Sequence, residues 1–138
     1  MSDFHRPDAA LAALRPTVQV SATPNDTPVA HFLHTTLRPV LKLQHDVLLL
    51  VVADFVRDHH IPLSSAAGTE QQRLLTELLS RNTKLRYTIV GLIVGQFTRP
   101  ELATYRQHRP ELNRRLLELA SRRVQDQAAA VATLSSAA

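Results

Sequence analysis

Residues 85–97 read LRYTIVGLIVGQF, the densest run of large apolar side chains in the second half of the chain, and they include two of its three glycines, Gly91 and Gly95. How this stretch folds decides the architecture. As a helix it continues a stripe at Leu74, Leu78, Asn82, Leu85, Ile89, Leu92 and Gln96, whose period holds at about 3.6 through a polar first half and an apolar second half. Thr69 and Gln72 have the spacing of a capping box, so one helix of about 28 residues is the simplest account.

As a strand, Tyr87–Val94 would instead pair with Val47–Ala53, also rich in β-branched residues, around a helix over 69–83. That small α/β alternative, a βαβ unit, has only Thr17–Thr23 to offer as a third strand, and isolated two-stranded pairings are marginal. The unbroken stripes therefore predict an all-α, single-domain helical bundle of about four helices with a long central helical hairpin, residues 28–60 against 69–97.

Upstream, Asp26 or Thr27 is placed to cap a helix whose first turn holds Pro28, where no amide donor is needed. Its stripe is Leu33, Leu37, Leu41, Leu48, Val51 and Phe55, interrupted by Gln44. Pro39 lies inside and predicts a kink near Thr35–Arg38 or two successive helices. Val47–Val56 is apolar on nearly all sides and reads as a central buried helix, ended by Ile61-Pro62.

Downstream, Thr98 and Glu101 form a second capping box around Pro100, and the Arg-Pro-Glu-Leu of 99–102 recurs at 109–112 as another helix start. The last helix, from Pro110 to Ala130, turns Leu112, Leu116, Leu119, Ala120 and Val124 inward. Arg114, Arg115, Glu118, Arg122 and Asp126 point outward, with Glu118–Arg122 and Arg122–Asp126 as i,i+4 pairs. The domain organisation expected is a flexible N-terminal arm over 1–25, rich in Ala, Pro, Ser and Thr, a bundle over 26–130 and a frayed tail over 131–138.

Composition narrows the function classes. The absence of cysteine excludes disulfides, thiolate metal ligands and cysteine chemistry. The apolar runs fall far short of the ~20 residues that span a bilayer, and prolines interrupt the first 30 residues, so no membrane association and a cytoplasmic location are expected. The net charge of +4 is uneven: residues 81–123 carry ten basic residues against three acidic, residues 1–80 six against eight. A basic half attracts phosphates or an acidic partner, and arginine, which outnumbers lysine here, binds phosphate bidentately; a compositional bias would produce the same excess.

Seven histidines invite a metal reading. His31, His34 and His45 share a helix side, yet no glutamate precedes a histidine by three, as a carboxylate-bridged centre requires, so they are read as solvated or capping groups. Asp54 and Asp58 form an i,i+4 carboxylate pair, with Arg57 beside it as an ordinary ionic partner. Phosphate loops, His-Glu-x-x-His and Gly-x-Ser-x-Gly motifs are absent, and neither an enzyme nor a cofactor is expected.

The candidate sites are thus surfaces. Gly91 and Gly95 each cost a helix interior roughly 1 kcal/mol relative to alanine, which close packing of another backbone would offset. That backbone would be Val47–Val56 of the same chain or the same helix of a second subunit, with Asn82 and Gln96 suited to fixing register. The sequence points to a non-enzymatic interaction or regulatory protein, a homo-oligomer or the binder of a protein partner. The alternative is nucleic-acid binding by segment 99–123, loosely a helix-turn-helix, through Arg106, Arg109, Arg114, Arg115, Arg122 and Arg123.

Overall fold

The computed structural model describes residues 5–18 and 27–136, and all regular structure among them is helical. Tyr87–Val94 and Val47–Ala53 both lie in helices, so the βαβ alternative falls. Most of the possible third strand, residues 19–23 of Thr17–Thr23, lies outside the described residues. In order, the elements are α1 (Asp8–Ala13), α2 (Pro28–Phe32), a π turn (Leu33–Leu37), α3 (Arg38–Leu43), α4 (His45–Asp58), α5 (Gly68–Arg81), α6 (Thr83–Val94), α7 (Arg99–Gln107), α8 (Arg109–Asp126) and α9 (Ala128–Ser136). The helices are shorter and more numerous than the expected four, because the long ones are interrupted, and each interruption has a local cause.

Thr27 caps α2 as expected, its hydroxyl accepting the Ala30 amide at 3.1 Å with Pro28 in the first turn. The kink predicted from Pro39 takes the form of the π turn. It widens the helix just upstream of the ring, where an α turn would clash, and Thr35 Oγ1 donates to the His31 carbonyl there at 2.8 Å. Gln44 leaves the helical region (φ −93°, ψ 8°) and its side-chain amide donates to the Leu92 carbonyl at 3.2 Å. This break rotates the apolar stripe. After Leu37 and Leu41 the buried set continues as Leu48, Leu49, Val52, Ala53 and Val56, leaving Val51 and Phe55 half-buried. Val47 and Leu50 are 40% and 49% exposed, so α4 is amphipathic and not buried on all sides.

α4 ends in a Schellman turn. The Ile61 amide donates to the Val56 carbonyl and the His60 amide to the Arg57 carbonyl, with His60 at φ 53°, a conformation normally given to glycine. The loop that follows is pinned by the buried Leu63, whose carbonyl accepts from the Gln71 side chain. The Thr69/Gln72 capping box does not form: α5 starts two residues earlier, with Ala67 in the cap position and no side-chain cap.

The continuous helix expected from 69 onward breaks at Asn82, whose backbone is extended (φ −82°, ψ 102°) and whose Oδ1 accepts the Leu85 amide at 2.8 Å to cap α6. α5 and α6 keep one apolar stripe across the break, which is why periodicity joins them. α5 packs on α6, α8 and α9, while α4 packs on α6, α8 and α9. The hairpin is therefore not a pair of long helices in direct register; α8 and α9 share its interior. α8 supplies Leu112, Leu116, Ala120 and Val124 to the core, four positions in a straight i,i+4 ridge.

The end of the chain differs most from the expected fraying. α9 buries Ala128, Val131 and Ala132, and its principal neighbour is α4. Residues 137–138 lie outside the described residues.

Candidate functional site

The chain makes an abrupt corner where α6 gives way to α7, and the N-terminal segment closes it. Thr98 and Glu101 form the predicted capping box, Glu101 Oε1 accepting the Thr98 amide at 2.8 Å. Arg15 then grips the same carboxylate with two bonds of 2.6 Å, donates a third of 3.0 Å to the Gln96 carbonyl, and Thr36 adds a hydroxyl at 3.0 Å. Burial pushes the Glu101 carboxyl up, but the bonds from Arg15 and Thr98 prevail and hold its pKa at about 2. Arg6 donates to the carbonyls of Gly95 and Phe97, and Asp8 accepts the Arg99 amide. Beneath lies an aromatic stack, Phe32 edge-on to Phe97 at 5.4 Å and Phe97 to Tyr105 at 5.7 Å. Within the segment expected to be a loose arm, the described residues 5–18 contain α1, and Arg6, Asp8 and Arg15 dock it through ions and helix-end groups. Glu101 is fully engaged by these contacts and is a structural group.

The residues singled out for close packing fall on the outer face of α6 and its two ends. Nothing lies within 4 Å of the Cβ position at Gly91, which is exposed, so no segment of the described residues, Val47–Val56 included, packs there. Gly95 ends the helix, where an added Cβ would stand 2.9 Å from the Gly91 carbonyl oxygen of its own turn. Tyr87, four residues before Gly91 on the same ridge, is 73% exposed. Asn82 caps the helix and also reaches α4, with Nδ2 3.3 Å from His59 Nε2, while His59 Nδ1 is 2.9 Å from the Phe55 carbonyl. Both contacts agree with a neutral His59 protonated on Nδ1. Gln96 is half-buried and used through its carbonyl by Arg15.

The six arginines of 99–123 do not share one surface. Arg106 is exposed on α7, and Arg109 lies over the Tyr105 ring at 5.7 Å. The break between α7 and α8 is the single residue His108, shorter than the turn of a helix-turn-helix. Arg114 pairs with Glu118 at 3.0 Å, so Glu118 is taken by the residue four before it and not by Arg122. Both line a groove of about 660 Å³ between α5, α6 and α8 that also holds Arg86. Arg115 and Arg122 are exposed, and among the described residues the expected Arg122–Asp126 pair does not form.

Arg123 turns toward α3 and α4. Its Nη1 lies 3.3 Å from His45 Nδ1, and Arg38 stands close by. Burial first, and then the charge of Arg38, lower the Arg123 pKa from the usual arginine value. Arg38 and His45 are not legible in the sequence as partners of Arg123, because they lie far from it along the chain, His45 by 78 positions. Among the described residues no group of three or more His, Asp or Glu side chains comes together as a metal site. No helix of the described residues is long and apolar enough to cross a membrane. No known protein family, curated protein or solved structure matches the chain.

Proposed function

We propose that the protein is a non-enzymatic interaction protein that associates with a second copy of itself through the outer face of α6. The observation that carries this reading is Gly91: it sits in the interior of α6 at a cost of roughly 1 kcal/mol, with open space in front of it. Tyr87, Gly91 and Gly95 lie four residues apart, on one i±4 ridge, the ridge used in the commonest helix–helix crossing. A two-fold crossing centred on Gly91 sets Tyr87 of each copy over Gly95 of the other, so that an exposed aromatic ring fills the space left by a glycine. Asn82 and Lys84 then fall toward the rim, where polar groups stay in water.

Sedimentation equilibrium of the full chain tests this. A dimer is expected for the native sequence and a monomer for Gly91→Leu. The introduced side chain starts into open space on its own chain, so the variant stays folded while the mass halves, losing only the stability that association adds. A native protein that stays monomeric, or a Gly91→Leu variant that stays dimeric, overturns the reading.

The second reading, a nucleic-acid contact through segment 99–123, rests on the exposed Arg106, Arg109, Arg115 and Arg122. Affinity for mixed-sequence DNA or RNA should then fall steeply with salt, since each neutralised phosphate releases counterion. Absence of a complex at low salt removes it.

A further inference from the structure

A cavity of about 300 Å³ lies between the start of α3, the start of α4 and the C-terminal half of α8, lined by Arg38, His45, Arg122, Arg123, Asp126 and Gln127. Its chemistry is one-sided. The Nε of Arg38 is buried and has no hydrogen-bond partner. Arg123 is half-buried beside it, and its only hydrogen bond among the described residues goes to His45 Nδ1. A guanidinium has donors and no acceptor, so His45 accepts through Nδ1 and, when neutral, carries its proton on Nε2 as one more donor. Among the described residues no carboxylate forms an ion pair with Arg38, Arg122 or Arg123. Elsewhere in the fold half-buried arginine side chains reach strong acceptors: Arg15, whose Nε is likewise buried without a partner, has both oxygens of Glu101, and Arg6 and Arg86 donate to backbone carbonyls, whereas among the described residues the Arg38 and Arg123 side chains reach neither kind.

Bringing like charges together out of water with donors left unmade is unfavourable unless an anion joins them. Three guanidiniums against the single Asp126 carboxylate leave two positive charges around the cavity. A phosphate monoester carries nearly two negative charges at neutral pH and three acceptor oxygens, whereas a phosphodiester carries one charge. The volume is at the small end of ligand sites, room for a phosphate with a modest organic group. We propose that this cavity binds a phosphate dianion, free or as the terminal monoester of a small molecule, with Arg38 and Arg123 on its floor and Arg122 at its rim.

Calorimetric titration of the full chain at constant ionic strength with inorganic phosphate, phenyl phosphate and dimethyl phosphate decides it. Inorganic and phenyl phosphate should bind, dimethyl phosphate at least tenfold more weakly. Tighter binding of phenyl phosphate assigns the organic monoester; equal binding assigns the free ion. Arg123→Gln should weaken binding at least tenfold, as expected for loss of a charge-assisted bond. Arg122→Gln, at an exposed position that leaves the fold intact, should weaken it as well, and Asp126→Asn should strengthen it. In the native protein phosphate should raise the melting temperature, and in Arg123→Gln that rise should vanish. Three results would each overturn the proposal: no binding of either dianion, binding unchanged in both arginine variants, or dimethyl phosphate bound as tightly as phenyl phosphate. The last would assign the cavity to a nucleic-acid backbone.

Discussion

Glu101 holds the α7 cap and the N-terminal segment with one carboxylate, and its side chain is only 19% exposed. Its folded pKa of about 2 lies below the ordinary value of 4.5, so the unfolded chain takes up its proton first as pH falls. The stability it contributes is complete above pH 4.5 and lost as pH drops toward 2, at most roughly 3 kcal/mol from a shift of that size. Urea midpoints measured between pH 6 and 2 should fall for the native chain, and Glu101→Gln should be less stable at pH 6 with a flatter profile. At Gly91 alanine should stabilise the monomer by about 1 kcal/mol, since helix propensity improves and nothing obstructs the methyl group. The two residues differ in how far the sequence discloses them. The capping box is local, with its two partners three residues apart, and is readable. Arg15 is 86 positions from Glu101, and no periodicity connects them.

At the scale of elements, helix type is legible in the sequence and helix continuity is not. A stripe of period 3.6 survives a single extended residue when the next helix resumes in phase, so the break at Asn82 leaves no trace in the pattern. What Asn82 does supply is a cap, and Asn82→Ala should cost about 1 kcal/mol in thermal or urea unfolding, more than Asn82→Gly, which should cost only a few tenths. The opposite sign is expected at His60. A side chain held at φ 53° is disfavoured by roughly 1–2 kcal/mol, so His60→Gly should raise the urea midpoint. Pro39 announces the kink upstream of it, because a missing amide and a bulky ring act locally. Gln44 announces nothing, since its break is stabilised through the Leu92 carbonyl on another helix.

For the molecule as a whole, the terminal described helices, α1 and α9, complete the bundle. The last segment, AAAVATLSS over α9, has small residues, no cap and no marked stripe, hence the expectation that it would fray. Its helicity comes from burial of Val131 and its neighbours against α4 and α5, a tertiary effect that composition does not carry. Truncation after Gln127 should therefore destabilise the domain by several kcal/mol, given about 1.5–3 for a single fully buried valine, and urea denaturation of the shortened chain would measure it. The basic cavity is hidden for the same reason. The excess of arginine is visible, but which of them lack a carboxylate depends on how α3, α4 and α8 meet.

The π turn over Leu33–Leu37 also bears on which lengths of chain the fold accepts. A π turn spends one more residue per cycle than an α turn, so it behaves as an insertion absorbed into a helix. Deleting one residue, Thr35 for instance, would restore ordinary α winding with the upstream residues keeping their facing. Pro39, however, would then meet the α turn it cannot tolerate. Exposed loops such as Ser64–Ser65 accept indels; this helix, with a residue count set by its proline, does not.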